Sequence, residues 1–111
     1  MNKLNILWTN ADPITSELMV FMYAINAKKL KWWDEITIIV WGSSAKLIAT
    51  DKKIQKLALE AQNLGVMISA CKACAEMLRV ADEIAGLGIE LKYWGTGLTE
   101  ILKQDGKLIT I

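Results

Sequence analysis

The chain alternates short apolar runs with stretches in which apolar residues recur every three or four positions, and these two periods sort it into strands and helices. Lys3 to Thr9, apolar at Leu4, Ile6, Leu7 and Trp8, predicts a first strand. Asn10-Ala11-Asp12-Pro13 predicts a helix start, with Asp12 as N-cap and Pro13 at the first helical position, where its missing N–H does no harm. Ile14, Leu18, Phe21 and Ile25 fall on one face of the helix that follows, which ends near Lys28-Lys29. Ile36 to Trp41 is nearly all β-branched, as expected of a parallel strand covered on both faces. Gly42-Ser43-Ser44 breaks it and opens a short helix over 45–49. Asp51 caps a longer helix with Ile54, Leu57, Ala58 and Ala61 inward, closed by Gly65. Val66 to Cys71 predicts strand three, and Cys74, Met77, Ala81 and Ile84 the buried stripe of one helix behind it, ended by Gly86-Leu87-Gly88. Ile89 to Trp94 reads as strand four, Gly95-Thr96-Gly97 as a turn, and Leu98, Ile101 and Leu102 as the inner face of a last helix. Asp105-Gly106 turns the chain into a final strand, Lys107 to Ile111.

Five strands alternating with helices imply one domain over residues 1–111, a three-layer α/β/α sandwich on a mainly parallel five-stranded sheet. Right-handed crossovers put every strand-to-helix turn on one edge, and ligands of such sheets bind outside the carboxyl ends of the strands. That edge collects Trp8-Thr9-Asn10, Trp41-Gly42-Ser43-Ser44, Cys71-Lys72 and Trp94-Gly95-Thr96-Gly97. Its candidate binding residues are Lys72, Trp8, Asn10, Trp41, Ser43, Ser44, Trp94, Gly95 and Thr96. The three tryptophans either line a pocket or cover the open end of the sheet. Trp32-Trp33 is placed as packing across a helix end or as a contact between copies.

With 53% hydrophobic and 23% charged residues, the composition is that of a globular chain. The net charge is +1 and the lysines are scattered, which argues against a nucleic-acid surface. The longest unbroken apolar run, Leu18 to Ile25, is far short of the ~20 residues of a membrane span. No leader-like pattern precedes the first strand, so the expected compartment is the cytoplasm. There, a Cys-x-x-Cys is more often redox-active or metal-binding than a structural disulfide.

The chain has two cysteines, Cys71 and Cys74, and no histidine. A helix start favours a thiolate, and Lys72 adds a positive charge, so Cys71 is expected to be the more acidic and more reactive thiol, at the open edge. Cys74 is expected to point into the apolar stripe with Met77, Ala81 and Ile84. Two thiolates supply half a tetrahedral zinc shell and no imidazole completes it, so no metal site is expected. Cysteine-protease and Ser-His chemistry lack their base. A thioredoxin arrangement would set a cis-proline against the motif, and the single proline, Pro13, stands at a helix start. Gly95-Thr96-Gly97 is followed by Glu100 rather than glycine, so a dinucleotide fingerprint fails and no cofactor is expected.

The chain resembles the DsrE family of small sulfur-relay proteins. The likeness runs through the whole chain and is most specific over Ile68-Ser69-Ala70-Cys71-Lys72-Ala73-Cys74, Leu87-Gly88-Ile89-Glu90-Leu91, Tyr93-Trp94-Gly95 and Leu98-Thr99-Glu100-Ile101-Leu102-Lys103. The resemblance implies a five-stranded parallel α/β/α sandwich, assembled as a homo-oligomer such as a trimer or hexamer. It also implies that Cys71, at the family's strand-end position, carries sulfane sulfur as a persulfide, and Cys74 fills the place of a second cysteine found in some members. On the sulfur-transfer reading Cys74 is the candidate resolving thiol, leaving a Cys71–Cys74 disulfide and releasing sulfide. Partners would then be sulfur-donor and sulfur-acceptor proteins. The competing readings are a non-catalytic oligomeric module that binds a small ligand or partner, and a dithiol redox switch.

Overall fold

The computed structural model describes residues 2–111. Among these, β1 (Lys3–Trp8), β2 (Glu35–Val40), β3 (Met67–Cys71), β4 (Glu90–Lys92) and β5 (Lys107–Thr110) form an all-parallel sheet in the order β4-β3-β2-β1-β5. The helices are α1 (residues 13–29), α2 (Ser43–Thr50), α3 (Lys52–Asn63), α4 (Lys72–Met77), α5 (Ala81–Gly86) and α6 (Trp94–Lys103). This is the three-layer α/β/α sandwich expected from the pattern of strands and helices. Both predicted aspartate caps form: Asp12 accepts the Thr15 N–H at 3.0 Å, and Asp51 accepts the Ile54 N–H at 3.0 Å.

Strand order dictates which face each helix covers. From β1 to β4 the chain always steps in the same direction, so right-handed crossovers place α1 to α5 on one face. The last crossover steps back past β1 to β5, which sends α6 to the opposite face. The core lies under the first group: Leu4, Ile6, Trp8, Ile36, Ile38, Val40, Ile68 and Ala70 pack with Val20, Phe21, Ile48, Ile54 and Ile84. The alternate residues, including Asn5, Thr37 and Ser69, face a cleft beside α6. Covering of the second face by α6 alone leaves that side partly open, in contrast to the double covering expected from the β-branched run of β2.

Helix α1 departs from the regular periodicity. Across Ser16–Phe21 it widens into a π turn, and the Met22 N–H reaches back to the Glu17 carbonyl. One extra residue in a turn rotates the preceding positions by roughly 100°. Ile14 and Leu18, expected on the buried face, are therefore exposed, while Ser16, Val20, Phe21, Ala24 and Ile25 are buried. The shift brings the Ser16 hydroxyl inside to accept the Trp8 Nε1–H at 3.0 Å, so the indole is buried with its donor satisfied.

Two further boundaries differ. The helix predicted behind strand three is broken into α4 and α5 because Arg79 adopts φ 59° and the Val80 N–H returns to the Ala75 carbonyl at 2.9 Å, a helix-ending motif. Met77 is consequently 84% exposed rather than part of the buried stripe. Strand β4 stops at Lys92, and Gly95-Thr96-Gly97 forms the first turn of α6 instead of a loop.

The π turn makes a testable distinction. Phe21→Ala should cost about 3–5 kcal/mol in urea unfolding, whereas Leu18→Ala, followed at a dilution where the protein is monomeric, should stay within about 0.5 kcal/mol. A large loss at Leu18 would restore the regular helix face.

Candidate functional site

At the carboxyl edge, β3 turns into α4 on one face while β4 turns into α6 on the other. Adjacent strands whose connections part in this way leave a crevice between them, the usual ligand position in open α/β sheets. Cys71 is the last residue of β3 and lies in register with Lys92, the last of β4. The Cys71 sulfur accepts the Cys74 N–H at 3.4 Å, so the cysteine caps α4. Cys74 stands in the first turn, half-buried, and its own sulfur accepts the Gly42 N–H at 3.3 Å from the loop after β2. Both thiols are free. The loop after β2 and the end of β3 thus meet at one pair of sulfurs, beside the end of β4.

The two cysteines do not divide their environments as the sequence suggests. Cys71 is only 4% exposed. Burial pushes its thiol up from the ordinary value, and the neighbouring Cys74 thiol pushes it further, while the Cys74 and Ala73 amides pull it down less strongly. Lys72 does not act as the stabilising charge: its ammonium sits over the Tyr93 ring, 5.3 Å from the centroid. The Tyr93 hydroxyl in turn donates to Glu76 at 3.0 Å, which raises the phenol. Cys74 packs against the core as expected, yet it remains the more accessible of the two.

The other sequence candidates scatter. Trp8 is fully buried edge-on to Phe21, with ring centroids 5.2 Å apart, and lines no pocket. Ser44 is buried and structural: its hydroxyl lies 2.6 Å from the Trp8 carbonyl and accepts the Trp41 N–H, joining the ends of β1 and β2. Ser43 donates to the Thr9 carbonyl at 2.9 Å, and Asn10 accepts the Asp12 N–H at 3.1 Å in the turn before α1. Trp41 is half-buried beside them. Gly95 and Thr96 are exposed at the start of α6. Of the two readings of Trp8, Trp41 and Trp94, a shared pocket is absent among the described residues, because Trp8 packs in the core and Trp94 lines the cleft on the opposite face.

Trp94 is 7% exposed and closes the upper end of the cleft on the second sheet face. Its Nε1–H donates to the Ser69 hydroxyl at 2.8 Å, and Ser69 donates to Glu90 Oε1 at 2.7 Å. Gly97 permits this: a Cβ there would stand 2.8 Å from the Trp94 ring. The cleft, about 610 Å³, is floored by Asn5, Thr37, Met67 and Ser69 and walled by Glu100 and Ile101 of α6 and by Gln104 just after it. Gly42, Ser69 and Glu90 were not among the sequence candidates. The signal for Gly42 was its place directly after a strand on the cysteine edge; Ser69 could be found only from its two-residue spacing to Cys71. Among the described residues no three His, Cys, Asp or Glu side chains gather to hold a metal ion, and no helix is long and apolar enough to cross a membrane.

Neither a protein-family model nor a curated protein matches the sequence. Among solved structures, a conserved protein of unknown function from Bacteroides thetaiotaomicron, BT1422, is 44% identical over 99% of this chain and 95% of its own, with a TM-score of 0.97. The chain belongs to the family of that protein. The BT1422 family shares its fold with two more distant structures, MTH1491 of Methanobacterium thermoautotrophicum, a protein of unknown function, and the ychN protein of E. coli. Each is 15% identical over the full length of both chains, with TM-scores of 0.76 and 0.74, a likeness of fold alone.

The raised Cys71 thiol links stability to pH. The unfolded chain ionises this group first, near the ordinary thiol value of about 8.5, so the stabilisation is whole below that pH and is lost as pH rises through the higher folded value. Between about pH 8 and about pH 10 the unfolding free energy should fall more steeply for the wild type than for Cys71→Ser. Parallel curves would mean that the thiol titrates as if in water.

Proposed function

We propose that the protein is a DsrE-like sulfur carrier, in which the Cys71–Cys74 pair takes sulfane sulfur from a persulfide or polysulfide donor and passes it to an acceptor thiol. The observation that supports this reading is the thiol pair itself: two free sulfurs at the parting of β3 and β4, joined through the Cys74 N–H at 3.4 Å and held on the other side by the Gly42 N–H at 3.3 Å. Amide donors to sulfur favour its anionic form, the nucleophile in sulfur transfer, and at Cys71 they partly offset the burial that pushes the thiol up. In the loading step a cysteine thiolate attacks the terminal sulfur of R–S–SH. The new S–S bond forms as the old one breaks, R–S⁻ leaves, and no net oxidation occurs. In unloading, the acceptor thiolate attacks the same sulfur and the cysteine leaves as thiolate. Cys71, buried at the strand end, is where the sulfur is held.

Reduced protein incubated with sodium tetrasulfide should gain one sulfur mass in a cyanide-labile form, and the Cys71→Ser/Cys74→Ser double variant should gain none. If the wild type gains none either, the carrier reading fails. The 610 Å³ polar cleft favours a second reading, a binding module without turnover, which that negative result would leave in place.

Self-association belongs to the proposal as well, as a homo-oligomer of trimer or hexamer size. Ile14, Leu18 and Met22 form an exposed apolar stripe on α1, and Trp32 and Met77 add exposed apolar surface elsewhere. Sedimentation at micromolar concentration should show a species larger than the monomer; a monomer alone would count against the assembly.

A further inference from the structure

We infer that Cys74, rather than Cys71, is the thiol that first takes sulfur from the donor, with the Gly42 N–H holding its sulfur, and that Cys71 then receives the sulfur from Cys74. This assignment rests on the sulfur-carrier reading and reverses the order that the strand-end position suggests. Access is the first reason. Cys71 is 4% exposed, and an in-line attack on a donor's S–S bond needs an approach that a sealed sulfur lacks. Cys74 is half-buried, in the first turn of the helix that Cys71 caps.

The second reason is the donor that reaches Cys74 from a different loop. Gly42 has φ 72° and ψ −135°, a backbone region open to glycine and strained for other residues. The glycine lies in the loop after β2, where its N–H meets the Cys74 sulfur at 3.3 Å and the chain then turns into α2. A Cβ at this position would meet only the Thr9 carbonyl, at an ordinary 3.7 Å, so backbone shape and not space requires the glycine. Burial, which pushes the Cys71 thiol up, further disfavours it as the first nucleophile.

The steps balance without an external oxidant or reductant. Cys74 thiolate attacks the terminal sulfur of the donor R–S–SH, forming Cys74–S–SH and releasing R–S⁻. Cys71 then attacks the outer sulfur of that persulfide: the bond to Cys74 breaks, Cys74 leaves as thiolate and takes the proton that Cys71 gives up, and Cys71–S–SH remains. The buried position shelters the product from competing thiols in solution, while the exposed one exchanges with partners.

The full-length reduced protein allows the test without any substitution. Limiting iodoacetamide followed by peptide mapping should label Cys74 at least roughly ten-fold faster than Cys71. With sodium tetrasulfide, Cys71→Ser should still take sulfur on Cys74 and keep it there, and Cys74→Ser should load Cys71 at least roughly ten-fold more slowly than the wild type loads. Gly42→Ala should slow labelling of Cys74 more than that of Cys71. Faster alkylation of Cys71 in the wild type, or loading of Cys74→Ser at the wild-type rate, overturns the order of the two thiols and leaves the carrier reading intact. Absence of persulfide on every form removes the carrier reading, and this assignment with it.

Discussion

A strand can join a parallel neighbour only through a crossover, and the right-handed sense of crossovers decides on which face the connecting helix lies. In this chain four strands are laid down in one direction and the fifth is placed back at the far side of β1. That reversal sends α6 alone to the second face, opens the carboxyl edge between β3 and β4, and leaves the polar cleft along the sheet. Without it, Cys71 would end a strand between two connections on the same side, with no crevice beside it.

Around that opening the backbone supplies most of the contacts. Cys74 N–H meets the Cys71 sulfur, Gly42 N–H meets the Cys74 sulfur, and Ser44 ties the ends of β1 and β2 so that the Gly42 loop keeps its place. Side-chain charge has little part: Lys72 is engaged with Tyr93. The surroundings of the pair are thus set by burial and backbone amides, which differ between sulfurs three residues apart. The Trp94–Ser69–Glu90 chain closes the second face just below them, separating the cleft from the thiol edge.

The strand and helix succession, both aspartate caps, the parallel sheet and the position of Cys71 at a strand end were legible in the sequence, because each depends on local periodicity or on a residue's effect on its own backbone. Boundaries failed where a tertiary contact outweighed that local signal. The Ile14–Leu18–Phe21–Ile25 stripe looked regular, but burial of Trp8 with its indole N–H paired to Ser16 fits a helix one residue wider in that turn. Gly95 and Gly97 looked like a loop, but at position 97 glycine makes room for the Trp94 ring inside a helix.

Type and spacing of residues, fixed along the chain itself, were enough to place two thiols at the start of one helix on the carboxyl edge of the sheet. Which thiol is open and which is sealed depended on neighbours far away in sequence: Gly42 stands 32 residues before Cys74, and Lys92 of β4 lies beside Cys71 across the sheet. Solvent access and the direction of an N–H are properties of assembled strands. No local pattern encodes them, so the difference in burial between the two cysteines emerged only from the tertiary structure.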